Sequence, residues 1–547
     1  MRTTYAEIKF GLLDTTASKD GTTVSNGQQY FVELIDLQDE VKTITPIQTC
    51  EKNQTLLDGT YELIKSRDDQ DYGFWSSEIS DAEGNFAINP ILTRQFNDYH
   101  TTAGLTLSFA GDSLPKSIII TYYQNETILR AFTHEITAYT YYATDIVENY
   151  NKITFEFTGT QIPYRYIKMS EILWGIVKVW SKDSIVSASI LEELNLTSDE
   201  VSINELEFEI YDKDNAFDIL NPKGIYTTLQ QRQQLTVTEY INDIPVEMGA
   251  YYLSEWESTV NKIASFKATD ILGVLDNITY KQKTIWNNTS ATDIFSDIFA
   301  QCNYKDYMIS EEVANLTLNG YVPMVSIRET LHQVCFALRC SINAERDGKI
   351  HIKRITKGEV NAISKGSKAN TKLIQEQLVN SVLVNAYNFA LGSSVQLYSG
   401  SLSVGKYEIS VEASGTKTCT GGTIVEQGLN YVIVNVATAG TVTINGAKYV
   451  ESVTKYVKTA EIYNNLQQVE VSGVYCISNL NGQQVADYLY QDYQRRITQE
   501  FTLILEDEKI GDTVDVEIEN AIKQGIITKL ETNLTNGYIS ECKVRSE

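Results

Sequence analysis

Histidine is scarce in this chain, with four copies in 547 residues, and proline and cysteine number only seven each. The four histidines, His100, His134, His332 and His351, stand far apart, and no GxSxG, P-loop, strand-following GxGxxG or HExxH pattern occurs. Nucleophilic catalysis of the Ser-His-Asp or Cys-His kind therefore has no visible partner set. Cys50, Cys302, Cys335, Cys340, Cys419, Cys476 and Cys542 are scattered, odd in number and without a CxxC pair. That pattern predicts reduced thiols, no disulfide framework and no zinc, and neither a metal nor a cofactor is expected.

Cations are also in deficit. Lys and Arg total 45 against 71 Asp and Glu, a net charge of −26. A chain of that sign lacks the excess cations that release counterions from a phosphate backbone, which argues against sequence-reading nucleic-acid binding. The same deficit disfavours attachment to anionic membranes. The apolar runs, such as Ile118–Ile120, fall far short of the ~20 residues that span a bilayer. The first ten residues, Met1 to Phe10, contain no apolar h-region, so neither an export signal nor a membrane anchor is expected, and assembly in a cytoplasm is.

What is plentiful is tyrosine: 34 copies against 17 Phe and 5 Trp. The apolar fraction of 42 % and charged fraction of 21 % are those of a globular protein. At about 150 residues per domain, the length predicts three or four domains.

Most of the chain alternates apolar and polar residues with the period of half-buried strands. Residues 30–37 and 55–64 do so, with Asp58-Gly59 as a turn signal. Residues 74–175 form a self-contained β unit with strands expected at 104–109, 117–123, 127–132, 151–157 and 164–169, a spacing that favours a two-sheet sandwich or jelly roll. Further strands are expected at 175–180, 205–211, 234–240 and 264–270. Asn242-Asp-Ile-Pro is expected to end a strand, and Pro222 and Gly224 to mark a loop.

The period changes near residue 285. Ile294, Phe295, Ile298 and Phe299 are spaced for one face of a helix, with Ser290 as N-cap. Ile327, Leu331, Val334, Cys335 and Leu338 form a second stripe behind a Ser326/Glu329 capping box. A hairpin follows, with Arg346-Asp-Gly-Lys between its strands, so this piece reads as α+β. Residues 390–475 are rich in Gly, Thr, Val and Ser, lack Pro, and read as an inserted small β domain. Val485, Tyr488, Leu489 and Tyr493 share a helix face within 481–495, and four more strands are expected after Phe501.

Two acidic segments, Asp68–Tyr72 and Tyr211–Asp218, faintly resemble calcium loops, but the second lacks the Gly and distal Glu of an EF-hand, and solvated turns explain both. With 71 acids, chance carboxylate pairs are unavoidable, so a two-carboxylate glycan depolymerase is not dismissed by counting. The feature with binding character is the aromatic density of residues 74–175. Tyr139, Tyr141 and Tyr142 are its candidate glycan-stacking residues, because two adjacent tyrosines on a strand cannot both face one core.

The sequence resembles the tail-tip (baseplate) hub proteins of phages and prophages of Gram-positive bacteria. The likeness rests on Leu56-Leu-Asp-Gly-Thr-Tyr-Glu-Leu-Ile, Gly73-Phe-Trp-Ser-Ser-Glu-Ile-Ser-Asp-Ala-Glu-Gly-Asn-Phe and Pro163-Tyr-Arg-Tyr-Ile-Lys-Met. More specific is Ile203-Asn-Glu-Leu-Glu-Phe-Glu-Ile-Tyr-Asp-Lys-Asp-Asn-Ala-Phe-Asp-Ile-Leu-Asn-Pro-Lys-Gly, followed by Met248-Gly-Ala-Tyr-Tyr-Leu-Ser-Glu-Trp and Phe266-Lys-Ala-Thr-Asp-Ile-Leu-Gly-Val-Leu-Asp. Together these cover roughly residues 50–280.

The resemblance implies a mainly β, multidomain chain with a smaller α+β part. Two tube-like β-barrel hub domains would be built from 1–73 with 176–284 and from 359–389 with 476–547. An inserted jelly-roll, carbohydrate-binding-like domain would occupy 74–175, the α+β domain 285–358 and the small β insertion 390–475. It further implies a structural virion protein at the tail tip, working as a homotrimeric ring and not as an enzyme. Its partners would be the tail tube, distal tail proteins, a tape-measure or central spike protein, and a host cell-surface glycan. Relatives that carry a lytic region continue beyond the hub, so the end at Glu547 sets an expectation against lysis. The alternative is a carbohydrate-binding host-attachment protein, with a glycan depolymerase as the third reading.

Overall fold

The structure, a computed structural model, describes residues 2–14, 17, 20–26, 51–52, 74–102, 104–109, 114–213, 217, 233–259, 262–355, 360–461, 467–519 and 521–546. The strands expected at 30–37 and 55–64, the Asp58-Gly59 turn, the acidic run 68–72 and the Pro222/Gly224 loop lie outside these residues. The fold is mainly β and multidomain. Two compact units emerge: residues 1–8, 180–218 and 235–547 make one, residues 9–179 with 219–234 the other.

The second unit is a two-sheet sandwich. One sheet runs Thr22–Ser25, Ile91–Thr102, Val147–Phe157, Ser117–Gln124, Thr127–Glu135, and the other Phe74–Trp75, Lys168–Leu173, Leu105–Phe109, Thr140–Ala143. Alternation decides which residues fill the space between them. Ile118, Ile120, Ile153 and Phe155 point in from the first sheet, Leu105, Leu107 and Met169 from the second, and all are fully buried.

Several strands, Thr22–Ser25 and Phe74–Trp75 among them, depart from the sequence reading. The strand expected at 164–169 begins instead at Lys168, because Tyr164 sits at φ 61°, outside any β ladder. Ile91–Thr102 was not foreseen: its register breaks between Gln95 and His100, which spoils the alternation. Asp20 holds that bulge. Its carboxylate accepts the amides of Asn97 at 3.0 Å and Asp98 at 2.8 Å and the Asn97 side chain at 2.6 Å.

The first unit is organised by one long sheet. From Gln234–Ile241 the order is Ile244–Thr259, Ile263–Thr269, Glu205–Tyr211, Ile185–Glu193, Ala521–Asn533, Ile539–Ser546, Ile497–Ile504, Lys368–Gln375. Asn242-Asp243 ends the first of these strands, as expected, and also opens the next. Both residues have positive φ, 51° and 65°, the requirement of a two-residue I′ hairpin turn. Phe208 and Phe266 are directly opposite across their strands, and their rings stack at 4.8 Å. The middle joint is Ile185–Glu193 against Ala521–Asn533, with Ser189 opposite Asn533 and Glu193 opposite Lys529. That single antiparallel pairing merges the sheet parts drawn from 185–269 and from 368–546.

Helices form where the period predicted them and share one core with Val382, Val384 and Ala386 of the Ser381–Leu402 strand. Ser290 caps Ala291–Gln301 by accepting the Asp293 amide at 3.1 Å, and Ile294, Phe295, Ile298 and Phe299 are buried. Ser326 caps Ile327–Leu338 through the Glu329 amide at 3.1 Å. The capping box is one-sided, since the Glu329 carboxylate binds His332 and Gln333 instead. Gly482–Asp492 buries Val485 and Leu489, while Tyr488 and Tyr493 are half-buried. No described helix is long and apolar enough to cross a membrane.

Beyond the helices, Ser381–Leu402 pairs with Gly440–Thr459 in a long ribbon that continues past residue 390, with register shifts between Leu391 and Ser394 and between Gln396 and Tyr398. At its far end a three-stranded sheet, Gly405–Ser410, Tyr431–Val436, Thr423–Gln427, packs Ile409, Val432, Val434 and Val436 against Val442 and Ile444 of the ribbon in a separate small core.

Candidate functional site

The three tyrosines singled out by sequence do not share one platform. Tyr139 precedes the Thr140–Ala143 strand and is 54 % exposed. Tyr141, opposite Leu107, packs its half-buried ring against the sandwich core. Tyr142, opposite Thr106, takes the other face of the same sheet, as strand alternation requires.

Tyr141 belongs to a polar chain that the sequence did not reveal. Its hydroxyl lies 3.4 Å from Nδ1 of His134, whose Nε2 lies 2.9 Å from the buried carboxylate of Asp145. A carboxylate only accepts, so a neutral imidazole here carries its N–H on Nε2 and leaves Nδ1 to accept from the tyrosine. Burial, with Asp145 and Glu135 nearby, pushes the Tyr141 hydroxyl up, and burial does the same to Tyr142. Tyr141 is thereby a held hydrogen-bonding group and not an activated nucleophile.

The other histidines also serve neighbours. His100 bridges Asp14 at 2.9 Å and Asp20 at 3.1 Å and lies against Phe96. Burial would raise the Asp20 carboxyl, but the Asp98 amide, the His100 ring and Asn97 together hold it well below the usual carboxylate range. His332 meets Glu329, and His351 meets Asp347 and Glu345.

A depolymerase would need two convergent acids in a cleft. Two buried acids of the first unit, Glu192 and Asp270, are committed elsewhere. Glu192 receives the Arg346 guanidinium through Nε at 3.0 Å and Nη2 at 2.6 Å, while Nη1 donates to the Tyr538 hydroxyl at 3.3 Å. Burial works against the Arg346 cation, but Glu192 outweighs it and raises the guanidinium further. Asp270 caps the short Ile271–Leu275 helix by accepting the amides of Leu272 and Gly273, and it also accepts the Asn204 amide. The cavity these residues line, with Asn204, Tyr251 and Glu345, holds about 10 Å³. That is space for one water molecule and not for a sugar. Among the described residues no group of three or more His, Cys, Asp or Glu side chains is placed to hold a metal ion.

The remaining candidates are surfaces. Lys368–Gln375 ends the long sheet as traced above, and most of its residues are exposed on both faces, Leu373 at 56 %. The ribbon presents Leu391, Val450, Val453 and Val457 to solvent. The far side of Val450–Thr459 has no strand paired to it among the described residues.

No protein-family model matches the chain, and no curated protein matches it. Among solved structures the chain is similar to the 43 kDa tail protein of prophage MuSo2 from Shewanella oneidensis, at 11 % identity over 67 % of this chain and 95 % of that one, with a TM-score of 0.41. A tail protein from Neisseria meningitidis MC58 follows at 12 % identity, 66 % and 91 % coverage and TM-score 0.40. The prophage tail protein gp18 from Listeria monocytogenes EGD-e gives 10 %, 68 % and 91 %, and 0.39.

Proposed function

We propose that the chain is a structural protein of a phage-type virion, a tail-tip hub whose copies close into a trimeric ring around an axial passage. The supporting observation is the long sheet. One pairing, Ile185–Glu193 with Ala521–Asn533, fuses two β parts into a wall that ends, at Lys368–Gln375, in an exposed edge strand. An edge of that kind presents unpaired N–H and C=O groups, which soluble monomers blunt or cover and ring-formers use. Tyrosine abundance suits the same role, since a ring buries area at an interface while its hydroxyl keeps a hydrogen bond. The tail tube, distal tail proteins and a tape-measure or spike protein are the partners this reading carries, the two tube-like domains are its architecture, and no catalytic step belongs to it. The net charge of −26 would let DNA pass a lumen of the same sign without adhering.

A glycan-attachment role for the sandwich is the second reading, favoured by the solvent-facing Tyr139 ring beside the Tyr141–His134–Asp145 chain. Light scattering tests the first reading: a hub runs at three times its 61.6 kDa protomer mass, and a stable monomer at micromolar concentration would reject it.

A further inference from the structure

Lys417 is 3 % exposed, and no carboxylate is among the hydrogen-bond partners of its Nζ in the described residues. Its Nζ donates instead to four main-chain carbonyls: Ser414, Gly415 and Leu429 at 3.1 Å, and Gly428 at 2.5 Å. An ammonium carries three protons, so four oxygens exceed what directional hydrogen bonding needs. Convergent carbonyl dipoles around a point charge are the means by which proteins replace the hydration shell of a monovalent cation. A buried cation without a counter-ion is costly unless such dipoles surround it, and burial accordingly pushes the Lys417 ammonium down to about 8.

The cage has a mechanical position. Two of its oxygens belong to the loop 428–430, where the three-stranded sheet meets the helix-bearing part of the same unit. The Leu429 amide donates to the Gln282 carbonyl at 2.8 Å, and the Asn430 side chain reaches the Val322 carbonyl at 3.5 Å. The Leu429 carbonyl, besides facing Lys417, accepts the Ser414 amide at 3.1 Å. The approach is close enough that a Cβ on Gly428 would lie 2.1 Å from a Tyr431 ring carbon and 2.7 Å from the Gln282 oxygen.

We propose that this cage is a monovalent-cation site filled by the chain's own lysine, and that its charge fastens the Gly428–Asn430 loop onto Gln282 and Val322. Emptied by Lys417→Ala, the same four carbonyls bind ammonium or potassium.

The test compares the full chain, Lys417→Ala and Lys417→Met in ammonium, potassium and choline chloride at equal ionic strength, reading hydrogen exchange over residues 428–431. In choline both variants exchange at least tenfold faster than the wild type. Ammonium or potassium restores most of the lost protection to Lys417→Ala and none to Lys417→Met, whose uncharged side chain occupies the space. The proposal fails if neither variant loosens the loop, if the three salts act alike on Lys417→Ala, or if both variants recover together. Should Lys417→Ala not fold in choline, the yield of folded protein on refolding in each salt reads the same contrast, and equal yields overturn the proposal.

Discussion

Glu239 is fully buried in the Gln234–Ile241 strand, and among the described residues neither of its carboxylate oxygens has a hydrogen-bond donor. Burial pushes its carboxyl from 4.5 up to about 8, an effect that the Arg2 cation only partly offsets. The folded chain therefore keeps a proton that the unfolded chain releases. Stability from this group is present in full below pH 4.5 and is lost as pH rises through 8. At 1.36 kcal/mol per pH unit the window carries on the order of 5 kcal/mol. Asp270, raised to about 7 mainly by burial, adds to the loss in the same direction. Glu239→Gln removes the titration while keeping shape, and near pH 5 the amide stands in for the protonated acid. Thermal midpoints of wild type and variant should nearly coincide at pH 5 and separate by several degrees at pH 9, with the variant higher. Superimposable pH profiles would show that Glu239 is solvated or paired, and the reasoning would be wrong.

Other perturbations follow from the same geometry. Arg346→Met leaves Glu192 buried without its cation and should cost about 3–5 kcal/mol in chemical denaturation, with most of the loss recovered when Glu192→Leu is added. Asp20→Ala frees the Asn97 and Asp98 amides of the bulge. Because the Asp20 carboxyl is held low in the fold, its contribution is present above the ordinary carboxylate range and is lost as pH falls through the lower folded value, so wild type and variant should converge in acid melts. Gly428→Ala places a methyl group inside van der Waals contact of Tyr431 and should expose the 428–431 segment to limited proteolysis without melting the rest of the chain. Tyr139→Ala should abolish any signal of the full chain on a glycan array while leaving its melting temperature unchanged, and a retained signal would move attachment away from this edge.

Those elements whose energy is local were legible in the sequence. Ser290 and Ser326 cap the helices whose stripes the 3.6-residue period marked, and the strand Leu105–Phe109 alternates apolar with polar residues. Elements that depend on distant partners were not. Ile185–Glu193 reads poorly as a strand because it buries Glu192, and the reason, Arg346, comes 154 residues later. Lys417 likewise looks like a surface residue until four carbonyls close on it. Tyr141 was marked for its ring, but its hydroxyl is set by His134 and Asp145, which reach it only through the pairing of Ser117–Gln124 with Thr127–Glu135 and the bend back to Thr140. The Asn242-Asp243 signal was visible, and the structure adds that a residue pair that stops one strand with positive φ at both positions also starts its antiparallel neighbour.

The joint between Ser189 and Asn533 also sets the timetable of synthesis. Residues 185–269 leave the ribosome with the Ile185–Glu193 side of their sheet open, and the strand that covers it, Ala521–Asn533, is made only after residues 270–520. At roughly 5–20 residues per second that wait lasts some tens of seconds. During it the nascent protein displays a bare β flank beside sister chains on the same message, so co-translational chaperone occupancy should peak over this interval and collapse when the hairpin of Ala521–Asn533 and Ile539–Ser546 docks.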